Sequence, residues 1–315
     1  MKVLVTGGAG FIGSHLVDRL VLNQVGEVVV FDDFSRGQSE NLSQSAGKIR
    51  IVRGDIRDRV VLERAMAGVD VVFHLAAKSS VLSGEQDPDG VIQTNVLGTY
   101  EVLRAAALSG VKRVIFTSSR EVYGDATSIP VSETAVLRPK NAYGVSKAAA
   151  ELYCKLFSGN TMSVIIFRLS NVYGPRDSGR VIPLFVAQAL DGEPLTVFGG
   201  SKILDFLWIG NLIDVLIPAA TCSCPNAPIN IGSGKGVKLV DLAERICEIA
   251  KSGSSVRIEK NRQPEVGAFI ADVAAARDLF DLKCPEAPVE HLVELIDALR
   301  LQKRNLSATS PDRQV

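Results

Sequence analysis

What the chain lacks narrows it first. It has no net charge, with 35 lysines and arginines against 35 aspartates and glutamates. That balance removes the broad electrostatic footprint by which proteins gather nucleic acid, and no basic stripe replaces it. No apolar run reaches the roughly 18 residues of a membrane span. A strand-like run begins at residue 3 and no cleavable signal pattern precedes it, so a cytoplasmic protein is expected. Cysteines fall at 154, 222, 224, 247 and 284, odd in number and scattered. Cys222 and Cys224 are the one close pair, and no Cys or His group at zinc spacing accompanies them. No metal is therefore expected, and the thiols should be reduced. His15, His74 and His291 are isolated, and a structural role is expected for each.

What is present reads as one α/β architecture. At 315 residues the chain can hold one large core or two modest domains. Strand-like runs recur at Lys2–Thr6, Glu27–Asp32, Ile49–Arg53, Val69–His74, Val111–Thr117 and Ser163–Leu169. Helical patterns fill most gaps, at Ile12–Leu22, Val60–Ala67, Val91–Ser109 and Ala142–Phe157. Nearly continuous apolar strands alternating with helices predict a doubly wound parallel sheet, of Rossmann type, covered on both faces. No internal repeat is visible.

The first strand runs into Gly7, Gly8, Gly10 and Gly13 and then into a helix. Gly7 suits a tight turn, Gly10 lets backbone approach a ligand, and Gly13 lets helix pack on strand. The helix start, with free N–H groups and a positive dipole end, suits a pyrophosphate. Asp32 lies 19 positions after Gly13, the distance at which an acidic residue accepts hydrogen bonds from ribose hydroxyls and repels a 2′-phosphate. NAD is thus favoured over NADP, although Arg36 could serve a 2′-phosphate. The alternative for Asp32 and Asp33 is a solvated strand end. Asp55 reads equally as an adenine contact or as part of a capped turn. Small residues after the fourth strand, Leu75 to Lys78, allow close approach to a flat nicotinamide ribose. Asn95, a poor helix former within a helix, is either a satisfied side chain or a bond to an active-site loop.

The chemistry gathers at Thr117–Gly124 and Asn141–Lys147. Tyr143 and Lys147, four apart, share a helix face. An ammonium beside a phenol favours phenolate and brings the tyrosine down from about 10 toward working pH. That supplies a general base for a sugar or alcohol hydroxyl. A hydroxyl from Ser118 or Ser119 completes a three-point grip on the reacting oxygen.

With these motifs in order, the chain resembles the extended short-chain dehydrogenase/reductase family, specifically its NAD-dependent epimerase/dehydratase group acting on nucleotide-sugars. The resemblance runs from residue 1 to about 300, through TGGAGFIGSHLVDRL, FDDFSRG, GDIRD, HLAA, TNVLGTYEVLRAA, SSREVYGD, NAYGVSKAAAE, RLSNVYGPR and GEPLTVFGG. It implies that Tyr143 and Lys147 are the catalytic pair, with Ser119 polarising the sugar 4-oxygen. It also implies NAD contacts from Gly7, Gly10, Phe11, Ile12, Gly13, Asp32, Asp33, Ser35, Arg36 and Gly37. Asp55, Ile56, Leu75, Ala76, Ala77, Lys78, Asn95 and Ser118 complete that cofactor set. Asn171, Arg180 and Arg262 fall to the sugar nucleotide. Expected domains are residues 1–170 for cofactor, with a later strand returning near 200–232, and 171–304 mainly for substrate. A terminal helix is expected at Val289–Gln302 and a disordered tail at 305–315. The helices Val91–Ser109 and Ala142–Phe157 resemble the family's dimer-forming pair, which implies a four-helix interface.

Three departures stand out. Leu204 replaces an arginine that grips the diphosphate in UDP-glucose-type epimerases, and Asn211 replaces a common acidic residue. Ser119-Arg120-Glu121 matches a triplet whose glutamate, in 4,6-dehydratases, removes the C5 proton. Glu121 fits that role or, alternatively, that of an ion-paired loop carboxylate, while Arg120 cannot act as the acid. The reading that follows is a nucleotide-sugar 4-epimerase with tightly bound NAD, acting on UDP-glucose/UDP-galactose or a close UDP-sugar. A 4,6-dehydratase or UDP-uronate decarboxylase using Glu121 is the alternative, and a silent NAD-binding protein a minor one.

Overall fold

Strands that are apolar on both sides must be covered on both faces, and here they are. The computed structural model describes residues 1–262 and 265–308. The chain forms β1 (Lys2–Thr6), β2 (Glu27–Asp32), β3 (Arg50–Arg53), β4 (Val71–His74), β5 (Arg113–Ser119) and β6 (Ser163–Leu169). The short strands β7 (Asn171–Tyr173), β8 (Leu195–Phe198) and β9 (Ile203–Trp208) follow, and then β10 (Ile229–Ile231). A seven-stranded sheet runs in the order β10-β6-β5-β4-β1-β2-β3, parallel throughout. Its pleat sorts the side chains. Val3, Val5, Val28, Val30, Val71 and Phe73 pack with Leu16 and Leu20 of the helix Phe11–Leu22 and with Leu212 and Leu216 of the helix Ile209–Ala219. Leu4, Val29, Phe31 and Val72 face the other way, onto Leu62, Met66, Val102, Leu103 and Cys154. Each fully buried aliphatic of this size contributes about 1.5–3 kcal/mol.

The remaining strands form a smaller C-terminal body. β11 (Gly236–Lys238), β9 and β13 (Ala268–Phe269) pair in that order, with β7 also on β9, while β8 pairs β12 (Val256–Glu259). A separate core holds it together, with Ile182, Phe185, Leu195, Phe206, Leu242, Ile246 and Leu295.

Several boundaries differ from the sequence reading. The expected helix Val91–Ser109 is three pieces: Pro88–Val91, a wider π-wound turn Ile92–Gly98, and Thr99–Leu108. The Thr99 hydroxyl donates to the Asn95 carbonyl at 2.6 Å. It thereby competes for the acceptor that the α-helical ladder uses, which favours the wider turn. The terminal helix runs Leu292–Ala308, so residues 305–308 are helical rather than tail; 309–315 lie outside the described residues. Cys222 and Cys224, expected as thiols, are disulfide-bonded with Cα atoms 5.6 Å apart, a span their two-residue separation allows. Among the described residues, no helix is long and apolar enough to cross a membrane.

Candidate functional site

Strand order reverses between β1 and β4, and in such sheets ligands lie at that switch point, beyond the carboxyl ends of the strands. A cleft of about 1650 Å³ opens there and continues to β9. Gly7 adopts φ +69°, and a Cβ on it would lie 2.8 Å from the Ala76 nitrogen, so the turn and its neighbour both demand glycine. A Cβ on Gly10 would meet only the Gly7 carbonyl, at 3.3 Å; its cleft side is open. Gly10 caps the helix Phe11–Leu22 with no side-chain bond, and no acidic residue occupies the first turn. The bare helix start thus faces the cleft, as an anion site requires.

At the end of β2, Asp32 is 6% exposed. It accepts hydrogen bonds from the N–H groups of Ala9 at 2.9 Å and Phe34 at 2.8 Å. Burial pushes its carboxyl up, and these two donors partly offset that. Asp33 turns to Ser35, accepting from its N–H and hydroxyl. Arg36 donates to Ser79 at 3.1 Å across the cleft mouth. Asp55 is ion-paired with Arg57 at 2.5 Å, which holds its carboxyl below the usual range.

The loop Leu75–Lys78 is fixed from beneath by a directed chain of hydrogen bonds. Thr99 gives its proton to Asn95, so it must accept from His74 Nε2, 2.9 Å away. His74 is buried and its pKa is lowered to about 3, by desolvation and then by the Lys147 charge, so it is neutral. Its Nδ1 therefore accepts from Thr6 Oγ1 at 2.8 Å, and that oxygen accepts the Ala76 N–H at 3.3 Å. Asn95 itself does not line the cleft. It holds the Lys78 peptide, accepting at 2.9 Å and donating at 3.0 Å. The bond to the loop, one of the two readings of this residue, is what the structure shows.

The reactive wall is built from β5 and the helix Ala142–Phe157. Tyr143 and Ser119 both line the cleft and are each 9% exposed, with the Ser119 hydroxyl near enough to favour the phenolate. Ser118 also lines the cleft, but its hydroxyl proton is committed to Glu151 at 2.5 Å. Lys147 Nζ donates to the Thr117 carbonyl at 2.8 Å, and burial brings its pKa down to about 8. The expected lowering of Tyr143 is not seen. Burial raises it, outweighing the opposing effects of Ser119, Arg180 and Arg120. Glu121 is ion-paired with Arg120 at 2.9 Å and accepts from Asn141 at 2.8 Å. Its two oxygens are engaged, as in the ion-paired reading.

On the far side, Asn171 donates to the Asp205 carbonyl at 3.2 Å, and Arg180 pairs with Asp177 at 2.9 Å while lying over the Phe11 ring. Arg262 stacks on Phe198, 3.3 Å from the ring centroid. Gly13, Gly37, Ile56, Leu75, Ala77 and the other expected site residues line the cleft, Asn95 alone excepted. Asn211 is remote from it, donating to the Lys283 carbonyl.

Sequence reasoning missed Lys202. It lines the cleft with Leu204 and Phe206, the period-two face of β9 extended by one residue, and it is ion-paired with Glu265. The alternation was the available signal. Asp177, buried and pushed up to about 6, had none.

A glycine turn and a bare helix start at the strand ends, beside a wall carrying Ser119, Tyr143 and Lys147, are features of the Rossmann-type, dinucleotide-dependent class. The NAD dependent epimerase/dehydratase family matches residues 3–232, and the chain belongs to it. The chain is 34% identical over 291 residues to UDP-glucuronic acid decarboxylase 3 of Arabidopsis thaliana, covering 89% of this chain and 83% of that protein. It superposes at TM-score 0.90 and 30% identity on a UDP-glucose 4-epimerase of Thermotoga maritima solved with UDP-glucose, over 96% of this chain and 100% of the other. A dTDP-glucose 4,6-dehydratase of Streptomyces venezuelae solved with NAD is equally similar, at TM-score 0.90 and 30% identity, over 96% and 98%. The chain is thus an NAD-dependent family enzyme that modifies a nucleotide-sugar.

Proposed function

We propose that the chain is a nucleotide-sugar 4-epimerase, taking a UDP-sugar through a 4-keto intermediate. The observation that carries this reading is the placement of Ser119, Tyr143 and Lys147 in one cleft wall, with Lys147 fixed on the Thr117 carbonyl. Gly7, Gly10 and the helix start at Phe11–Gly13 would hold the NAD pyrophosphate, and Asp32 the adenine ribose. NAD so held would supply the acceptor and donor of hydride at the sugar C4. Tyr143 takes the 4-hydroxyl proton and gives it back, while Ser119 fixes that oxygen. A raised phenol is a poor base at neutral pH, so the cationic surroundings of the loaded site must favour its phenolate. Asn171, Arg180, Lys202 and Arg262 are the polar and cationic groups available to the UDP diphosphate, Lys202 standing in for the arginine replaced by Leu204.

Decarboxylation or dehydration is the second reading, favoured by Glu121 in the same wall. Its engagement by both Arg120 and Asn141 counts against a free base there. Replacing Tyr143→Phe should abolish turnover and leave NAD bound; near-normal turnover would refute the assignment.

The helix Ala142–Phe157 carries Val145, Leu152 and Leu156 on one stripe, exposed by 53%, 66% and 75%. We infer that this face, with the neighbouring helix Thr99–Leu108, pairs with a second copy in a four-helix interface.

A further inference from the structure

Epimerisation at C4 leaves one cation in the reactive wall without a task. Arg120 directly follows Ser119, lines the cleft, and is 9% exposed. One terminal nitrogen pairs with Glu121 at 2.9 Å, and Nε makes a long bond of 3.4 Å to Asn171 Oδ1. The guanidinium carbon lies 5.8 Å from the Phe269 ring centroid. The other terminal nitrogen, Nη1, has no hydrogen-bond partner among the described residues. Ser170 Oγ, in the same cleft beside Asn171, is likewise buried and unpaired. Buried donors without partners are rare, and each calls for an explanation.

The charges point to an anion. Glu121 already shares its charge between Arg120 and Asn141, so the guanidinium fork retains donors that the protein does not use. A neutral hydroxymethyl group offers such a fork one weak acceptor. A carboxylate offers two oxygens and full charge, the partner that guanidinium binds best. Glu121 alone would repel a second carboxylate; the adjacent Arg120 cation offsets that repulsion. Position follows from connectivity. If Ser119 and Tyr143 hold the oxygen on C4, the next residue along the wall meets the substituent on the neighbouring ring carbon.

We propose that the sugar is a hexuronate, with its C6 carboxylate held by Arg120, so that Arg120 sets the preference for UDP-hexuronates over UDP-hexoses. The proposal rests on the nucleotide-sugar reading of the cleft but not on the fate of the 4-keto sugar. Specificity of this kind is strong because a substrate lacking the bonded group leaves the site's polar groups unpaired.

The test uses NAD-loaded protein carrying Tyr143→Phe, which binds without turnover, titrated calorimetrically with UDP-glucuronate, UDP-galacturonate, UDP-glucose and UDP. At least one uronate should bind about tenfold or more tightly than UDP-glucose. Adding Arg120→Ala should remove that preference and leave UDP affinity nearly unchanged, while Arg120→Lys should retain part of it, a charge without the fork. Equal or weaker binding of both uronates in the protein with Arg120 intact overturns the proposal, whatever the Arg120→Ala protein does. Should Arg120→Ala fail to fold, judged by its melting and NAD retention, Arg120→Lys and the intact comparison decide. If the uronate preference holds and the product is not a 4-epimer, the reaction assignment fails and this proposal stands. If UDP itself does not bind, the nucleotide reading fails and takes this proposal with it.

Discussion

Asn95 grips the Lys78 peptide from both sides, accepting its N–H at 2.9 Å and donating to its carbonyl at 3.0 Å. The same amide donates to Ser146 Oγ at 3.0 Å, and Ser146 donates to the Tyr143 carbonyl at 2.7 Å. One buried side chain thus ties the loop lining the cleft to the helix that bears Tyr143 and Lys147. Replacing Asn95→Ala leaves the Lys78 N–H and carbonyl without this partner, at a cost of about 1–3 kcal/mol. Urea unfolding should register that loss, and NAD titration should show weaker binding although no cleft-lining side chain has changed. Unaltered stability and NAD affinity would contradict this role.

Glu151 and Arg168 form a buried bidentate pair, with bonds of 2.7 and 2.9 Å beneath the reactive wall. Ser118 donates to the same carboxylate, and Arg168 also reaches the Tyr123 hydroxyl at 2.9 Å. Removing one partner strands a buried charge, so Glu151→Ala should cost about 3–5 kcal/mol. The double replacement Glu151→Leu with Arg168→Met should recover much of it. Denaturant midpoints of the three proteins check this; a cost for the double change at least as large as for Glu151→Ala would refute it.

His74 carries a pH signature. Burial and then the Lys147 charge bring it from the ordinary 6.5 to about 3 in the fold. The unfolded chain takes up the proton below 6.5 and the folded one does not until near 3. The unfolded state therefore binds more protons in that window, and stability falls as pH drops, at up to about 1.4 kcal/mol per pH unit. Asp177, raised to about 6 by burial, acts with the opposite sign, losing stability as pH rises from 3.8. It is common to both proteins in a comparison with His74→Gln. Unfolding free energies measured between about pH 4 and 7 should fall less steeply for the variant, and parallel slopes would contradict the assignment.

The exposed stripe of Val145, Leu152 and Leu156 predicts association through that helix. Sedimentation should give a dimer, and Leu152→Glu with Leu156→Glu should give a folded monomer that still binds NAD. A wild-type monomer would remove the inference.

Local spacing made much of this legible. The sheet, the glycine turn, Asp32 and the Tyr143–Lys147 pair are each specified within a few residues, and the cleft collects them where strand order reverses. What escaped depends on distant contacts. The role of Asn95 required Lys78 and Ser146 to converge on it. The direction of the Tyr143 shift required knowing how deeply the ring is buried. Lys202 directly precedes a strand whose face was not recognised, and the unpaired nitrogen of Arg120 exists only once Glu121, Asn141 and Asn171 surround it.

The central claim is that the site inverts C4 and leaves the carbon skeleton intact. The direct measurement is the mass and stereochemistry of the product formed by the NAD-loaded enzyme from UDP-glucuronate and from UDP-glucose. The account predicts a mixture of C4 epimers of unchanged mass, formed faster from the uronate, with no net consumption of NAD and no product from Tyr143→Phe. Loss of carbon dioxide or of water in the main product would contradict it.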